Sequence, residues 1–187
     1  MKTKIDCITQ TALRLFTSQG IESTSTSQIT KEAGVATGTL FYYFPTKDDL
    51  VDHLYVLCVD SFMQTEAGKV STSLPVKEAL YQNSRAYILW AMENQEKFHY
   101  IQQYANFVSG KDTVKFSVYE QAELLSVFEK GFRQGELKPI PTPLLIDLWS
   151  ALVNGFAQHF IENPEKAKDE DYLHMMCSIA WDSIRKT

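Results

Sequence analysis

Along the chain, apolar residues recur every three to four positions, the spacing that gathers them on one face of a helix, and no stretch shows the period of two that marks a strand. Ile5, Ile8, Ala12, Leu15 and Phe16 form one stripe of a helix over about residues 4–19, with Gly20 where a left-handed C-terminal cap is wanted. Ser25 and Gln28 have the spacing of a capping box for a short helix over about 26–33, which Gly34 ends. A third helix over 37–43 stops before Pro45, since proline lacks the amide donor and disfavours helix at the preceding residue. Thr46, followed by Lys47, Asp48 and Asp49, offers a capping hydroxyl and first-turn carboxylates to a fourth helix reaching about residue 69. Residues 68–74 read as a connector, and helices follow near 75–92, 95–107, 113–134, 143–162 and 170–186. Pro139 and Pro141 make residues 137–142 an extended link. The pattern predicts an all-α chain of about nine helices: a three-helix helix-turn-helix unit over residues 1–47, then a helical bundle over 48–187.

Composition narrows this little. The 187 residues suffice for a conventional core, and the apolar and charged fractions are those of an ordinary globular protein. Cys7, Cys58 and Cys177 are odd in number and far apart, which argues against a disulfide framework or a zinc site and for reduced thiols. His53, His99, His159 and His174 lack metal-ligand spacing, and no motif for nucleophilic catalysis or a phosphate loop occurs. No metal, no cofactor and no enzymatic activity are therefore expected. The first ten residues lack the apolar run of a signal peptide, and no long uninterrupted apolar stretch follows, so a cytoplasmic location without membrane insertion is expected.

Charge speaks at first against a nucleic-acid partner, because the net value is −5. It is unevenly spread: Lys2, Lys4, Arg14, Lys31 and Lys47 against Asp6, Glu22 and Glu32 leave residues 1–47 at +2, and the remainder at −7. Two short helices at a tight glycine turn are the form that lays a recognition helix in the DNA major groove. The second of them opens with Thr37, Gly38 and Thr39, small residues that let backbone approach phosphate and base edges.

The run Gly34-Val35-Ala36-Thr37-Gly38-Thr39-Leu40-Phe41-Tyr42-Tyr43-Phe44-Pro45-Thr46-Lys47-Asp48-Asp49-Leu50 resembles the signature of TetR-type regulators. Ala12, Leu15, Phe16, Gly20, Ile29 and Ala33 match that family's pattern upstream, and the resemblance covers about residues 4–54. It implies a transcriptional regulator that binds double-stranded DNA at an inverted-repeat operator. By matching position, Thr26 would touch phosphate, Thr37, Gly38 and Thr39 would lie on base edges or nearby backbone, Tyr42 and Tyr43 would reach phosphates or thymine methyls, and Lys47 would pair with a phosphate. Leu40 and Phe44 would be core. Ala36 stands where the family often has a capping serine, and Phe41 where a tyrosine is usual.

The same resemblance implies a homodimer formed by the last two helices, whose broad apolar faces hold Leu145, Trp149, Leu152, Gly155, Phe156, His159, Met175 and Ile179. Most aromatic residues of the second part must build core. Trp90, His99, Gln103, Tyr104, Phe107, Phe128 and Asn154 are candidates to line a cavity for a small apolar or amphipathic ligand whose entry releases a repressor from DNA. Two other readings stay open at this point: a DNA-binding regulator whose second part answers to a protein partner or to nothing, and a small helical enzyme with a site assembled in space.

Overall fold

The computed structural model describes residues 3–65, 68–108 and 122–186. Among them are nine α-helices: α1 Lys4–Gln19, α2 Thr26–Ala33, α3 Thr37–Tyr43, α4 Lys47–Met63, α5 Val76–Glu93, α6 Gln95–Phe107, α7 Ala122–Gln134, α8 Thr142–Glu162 and α9 Glu170–Ile184. A 3-10 helix, Pro164–Lys168, precedes α9 and was not expected from the pattern. No strand occurs among the described residues; a single bridge pairs Leu137 with Arg185. Residues 113–121 of the expected seventh helix lie outside the described residues.

Helix starts follow their side chains. At α1, Thr3 and Asp6 form a reciprocal capping box, and at α4 the Thr46 hydroxyl accepts from the Asp49 amide at 3.1 Å while the Asp49 carboxylate accepts from the Thr46 amide at 2.8 Å. At α2 only half of the expected box exists. The Ser25 hydroxyl accepts from the Gln28 amide at 3.1 Å, but the Gln28 side chain donates to Glu32 one turn on. Ala36 heads α3 without a side-chain bond, leaving that helix the least well capped of the first four.

Two ends depend on glycine. Gly34 takes φ +66 and ψ 33, the left-handed conformation that closes α2 and turns the chain into α3. The fourth helix ends at Met63, not near residue 69, because a side chain closes the turn. The Thr65 hydroxyl donates to the Phe62 carbonyl at 2.6 Å and accepts from the Gly68 amide at 2.9 Å. A Cβ at Gly68 would stand 2.2 Å from the Phe62 carbonyl oxygen, so the tight return needs glycine.

The chain divides into two compact units, which group it differently from a division after Lys47. The first holds α1 to α3, α4 as far as Ser61, and α6; the second holds the chain from Phe62 through α5, and α7 to α9. In the first, Ile8, Ala12 and Phe16 of α1, Ile29 of α2, Leu40 of α3 and Leu50 of α4 are fully buried. In the second, Leu80 and Ile88 of α5, Phe128 of α7, Trp149 and Phe160 of α8, and Leu173 of α9 form the core.

Two substitutions test the local logic. Gly34→Ala meets no atom within 4 Å, so its whole effect is the left-handed strain, a loss of about 1–2 kcal/mol in urea denaturation. Ala36→Ser supplies the missing cap and should raise stability by about 0.5–1 kcal/mol.

Candidate nucleic-acid interface

The turn at Gly34 is braced by backbone bonds: the Val35 amide donates to the Thr30 carbonyl at 3.0 Å, and the Thr39 amide to the Ala36 carbonyl at 2.8 Å. Helix α3 then packs against α1 and α2 through Leu40, while Phe44, just past its end, is 4% exposed. Burial of residues four apart sets the rotation of the helix, so Gly38 and Tyr42 stand on the opposite side, and Thr37 and Phe41, which flank the buried line, are exposed as well. Tyr42 is 81% exposed and packs edge-on against Tyr43, ring centroids 5.2 Å apart. Thr39 and Thr26 are half-buried.

An outward aromatic side this open, Tyr42 above all, adds little to the core of the unit. Phe41, 44% exposed, belongs to it and was missing from the sequence-derived contact set. Its place between the buried Leu40 and the outward Tyr42, at the edge of the exposed side, is the signal that puts it there.

Two cations of the unit, Lys47 and Arg14, are engaged within the chain. Lys47 is half-buried; its ammonium donates to the Glu22 carbonyl at 3.3 Å and lies 6.0 Å from the Phe16 ring centroid. Arg14 pairs with Glu32 across α1 and α2, and bonds from Arg14 and then Gln28 hold the Glu32 carboxyl below its usual 4.5. This surface therefore offers hydroxyls, rings and backbone more than net positive charge.

Helix α6 contributes the support beneath α4 within the same unit. The fully buried Tyr100 donates from its hydroxyl to the Val51 carbonyl at 2.8 Å, and Tyr104 to the Asp52 carboxylate at 2.9 Å while stacking on Tyr55 with centroids 4.0 Å apart. Burial raises both phenols above their ordinary range, and the bond to Asp52 raises Tyr104 further. Burial also pushes the Cys58 thiol from 9.0 to about 12.

The residues expected to line one ligand cavity divide between the units. Tyr104 is held by Asp52, His99 is half-buried beside Phe98, and Gln103 and Phe107 line a 420 Å³ groove with Gly20, Ile21, Glu22 and Ser23, all in the first unit. In the second, Phe128 packs edge-on against Trp149, Asn154 accepts from the Tyr87 hydroxyl at 3.0 Å, and Trp90 lines a groove along α5.

Two members of the expected partner-facing set, both on α8, turn inward. Leu145 and Trp149 are fully buried within the chain, in line with Val153 and Ala157. The apolar side chains left outside are Leu144, Leu148, Met175 and Ile179, each 42–49% exposed. Gly155 is exposed with no atom within 4 Å of a would-be Cβ, Leu152 and Phe156 are half-buried, and His159 meets the Tyr172 hydroxyl at 2.9 Å. These two apolar faces make α8 the one described helix long and apolar enough to cross a membrane by length and composition alone.

A tight glycine turn between short helices, with a polar and aromatic stripe turned outward, defines a helix-turn-helix DNA-binding protein. The family model for bacterial regulatory proteins of the tetR family matches residues 8–54. The solved structure of a TetR family transcription regulator from Shewanella sp. PV-4 shares 31% identity, covers 100% of both chains and superposes with a TM-score of 0.84. That of a TetR family regulator from Marinobacter aquaeolei VT8 shares the fold at 21% identity, 98% and 96% coverage and a TM-score of 0.83. The HTH-type transcriptional regulator AcrR of Shigella flexneri is 39% identical over 59 residues, 32% of this chain and 27% of that one, and YuxN of Bacillus subtilis is 43% identical over 51 residues. The matched segment thus spans about a quarter or less of these two relatives. The chain belongs to the TetR family of DNA-binding transcriptional regulators.

The buried thiol gives the unit a pH dependence. Because the folded Cys58 value is raised, the unfolded chain loses that proton first, so its contribution to stability is complete below about pH 9 and is lost towards pH 12. Urea denaturation from pH 7 to 10.5 should show a decline in stability that is shallower in Cys58→Ala.

Proposed function

We propose that the protein is a cytoplasmic homodimeric repressor that holds an inverted-repeat operator and releases it when an apolar small molecule binds its helical second part. In this reading residues 1–47 read one half-site and residues 48–187 dimerise and sense the ligand. The observation that carries it is the outward stripe of α3, whose Tyr42 is 81% exposed while Leu40 is fully buried. Thr37, Gly38 and Thr39 meet base edges or adjacent backbone, Tyr42 and Tyr43 reach phosphates or thymine methyls, Thr26 supports a phosphate from α2, and Lys47 supplies a cation at the start of α4.

Dimerisation is supported by the exposed Leu144, Leu148, Met175 and Ile179 on α8 and α9. Exposed apolar side chains clustered on neighbouring helices are the mark of an interaction face. A two-fold dimer brings two copies of α3 to half-sites about one helical turn apart, which also offsets the small number of cations in each copy. A ligand releases DNA only by the difference in its affinity for the two dimer states.

Selection from random duplexes with the purified dimer should enrich an inverted repeat. A pool without one, at low salt and with folded dimer present, contradicts the reading. On the selected site, Tyr42→Ala and Tyr43→Ala should each weaken binding about tenfold or more, about 1.4 kcal/mol. Leu148→Glu with Met175→Glu should convert the dimer to monomer in sedimentation, and undiminished dimerisation would remove α8 and α9 from the interface.

A further inference from the structure

The second unit contains a groove of about 410 Å³ between α5 and the segment after α4. Its floor is one stripe of α5, Ala79, Asn83, Ala86 and Trp90, at spacings of four, three and four residues; Val70 and Ser71 face it from the connector. The space exists because Ala79 and Ala86 alternate with the two large side chains and reach little beyond the backbone.

Asn83 and Trp90 are each 6% exposed. The Asn83 Nδ2 and Trp90 Nε1 atoms have no hydrogen-bond partner among the described residues. Buried donors are almost always paired, because a donor shut from water without an acceptor works against folding. Here two such donors line one groove. An indole N–H can only donate, and the orphaned Asn83 atom is also a donor, so the missing partner carries acceptors.

The Trp90 ring is walled by Phe62 and Tyr87, with centroids 5.6 and 5.8 Å away, which gives the groove an aromatic end. Lys69, Arg85 and Glu93 stand among the lining residues, and Arg85 is bonded to Glu170 at 2.6 Å. Asn83 and Trp90 are seven residues apart on one helix, so their Cα atoms lie about 10 Å apart along its axis, and the N-terminal lean of helical side chains carries the long Trp90 indole back towards Asn83.

We infer that this groove binds an aromatic carboxylate or its carbonyl analogue, whose oxygen accepts from Asn83 and Trp90 while its ring lies on Ala86 against the Trp90 wall. Both nitrogens are covered in the empty groove. The soft terminal torsion of asparagine lets the Asn83 amide turn to meet the oxygen, and the ring then settles beside Trp90. The inference rests on the reading that the second part senses a small molecule, and supplies the ligand class and the place.

The test uses the full-length 15N-labelled protein without DNA and 2-naphthoate as probe. The chain has three tryptophans, and the indole cross-peak lost in Trp90→Phe identifies that of Trp90. On titration this peak should move to saturation while those of Trp149 and Trp181 stay. Asn83→Leu should weaken binding at least tenfold with a melting temperature equal to or above that of the parent, since it replaces an unpaired donor by an apolar group of similar size. 2-Naphthylmethylamine, which offers donors in place of acceptors, should bind at least tenfold more weakly than the carboxylate. A Trp90 peak unmoved at saturating probe, or undiminished affinity in Asn83→Leu, overturns the site. Should Asn83→Leu not fold, undiminished affinity in Trp90→Phe overturns it equally. Binding at Trp90 that leaves operator affinity unchanged keeps the site and overturns ligand release, whereas release by the probe without a Trp90 shift keeps release and overturns the site.

Discussion

The rotation of α3 about its own axis is set by the burial of Leu40, at 0% exposure, and Phe44, at 4%, and the outward surface proposed to meet DNA depends on it. A helix of seven residues is too short to hold itself in water. Its order comes from those two side chains against α1 and α2 and from the left-handed turn at Gly34. A change that rolled the helix by one position would carry Tyr42 towards the core and Leu40 towards solvent, so packing and recognition are one constraint seen from two sides. The absence of a capping side chain at Ala36 places still more of the burden on that packing.

Beneath it, α6 serves the first unit. Tyr100 and Tyr104 clasp the first turns of α4 through Val51 and Asp52, and Tyr100 also stacks on Phe16 of α1 with centroids 6.0 Å apart. Hydrogen bonds from buried phenols are directional, so they fix the register of α4 where apolar contact alone would let it slide. The recognition surface itself is modest in charge. Arg14 is paired and Lys47 bonds to the Glu22 carbonyl, so in the proposed reading affinity comes from placed hydroxyls, rings and amides and from a second copy of the chain.

Most of the fold was legible in the sequence because it rests on local signals. The stripe in α1, the Thr46 start of α4, the glycine at 34 and the proline at 45 each act within a few residues, and the observed bounds of α2, α3 and α6 coincide with the expected ones. The losses came where local signals are silent or ambiguous. Residue 68 follows a run that helical periodicity carries onward, but the Thr65 hydroxyl ends α4 first. In α8 leucines or tryptophan stand at 144, 145, 148, 149 and 152, so two adjacent stripes are both apolar, and only the tertiary structure shows that Leu145 and Trp149 turn inward while Leu144 and Leu148 remain outside. Trp90 was legible as a pocket candidate from its type alone, but its groove depends on Ala79 and Ala86, which carry no chemical signal. His99, Gln103, Tyr104 and Phe107 were grouped with it because sequence does not reveal that α6 packs on α1 and bonds to α4 in the first unit.

Amide hydrogen exchange of the full-length protein, with and without a duplex carrying the selected inverted repeat, bears most directly on the role of the outward stripe of α3. Protection should rise at residues 37–43 and at the starts of α2 and α4 when DNA is added. Protection elsewhere with exchange at residues 37–43 unchanged would contradict the assignment of α3 as the recognition helix.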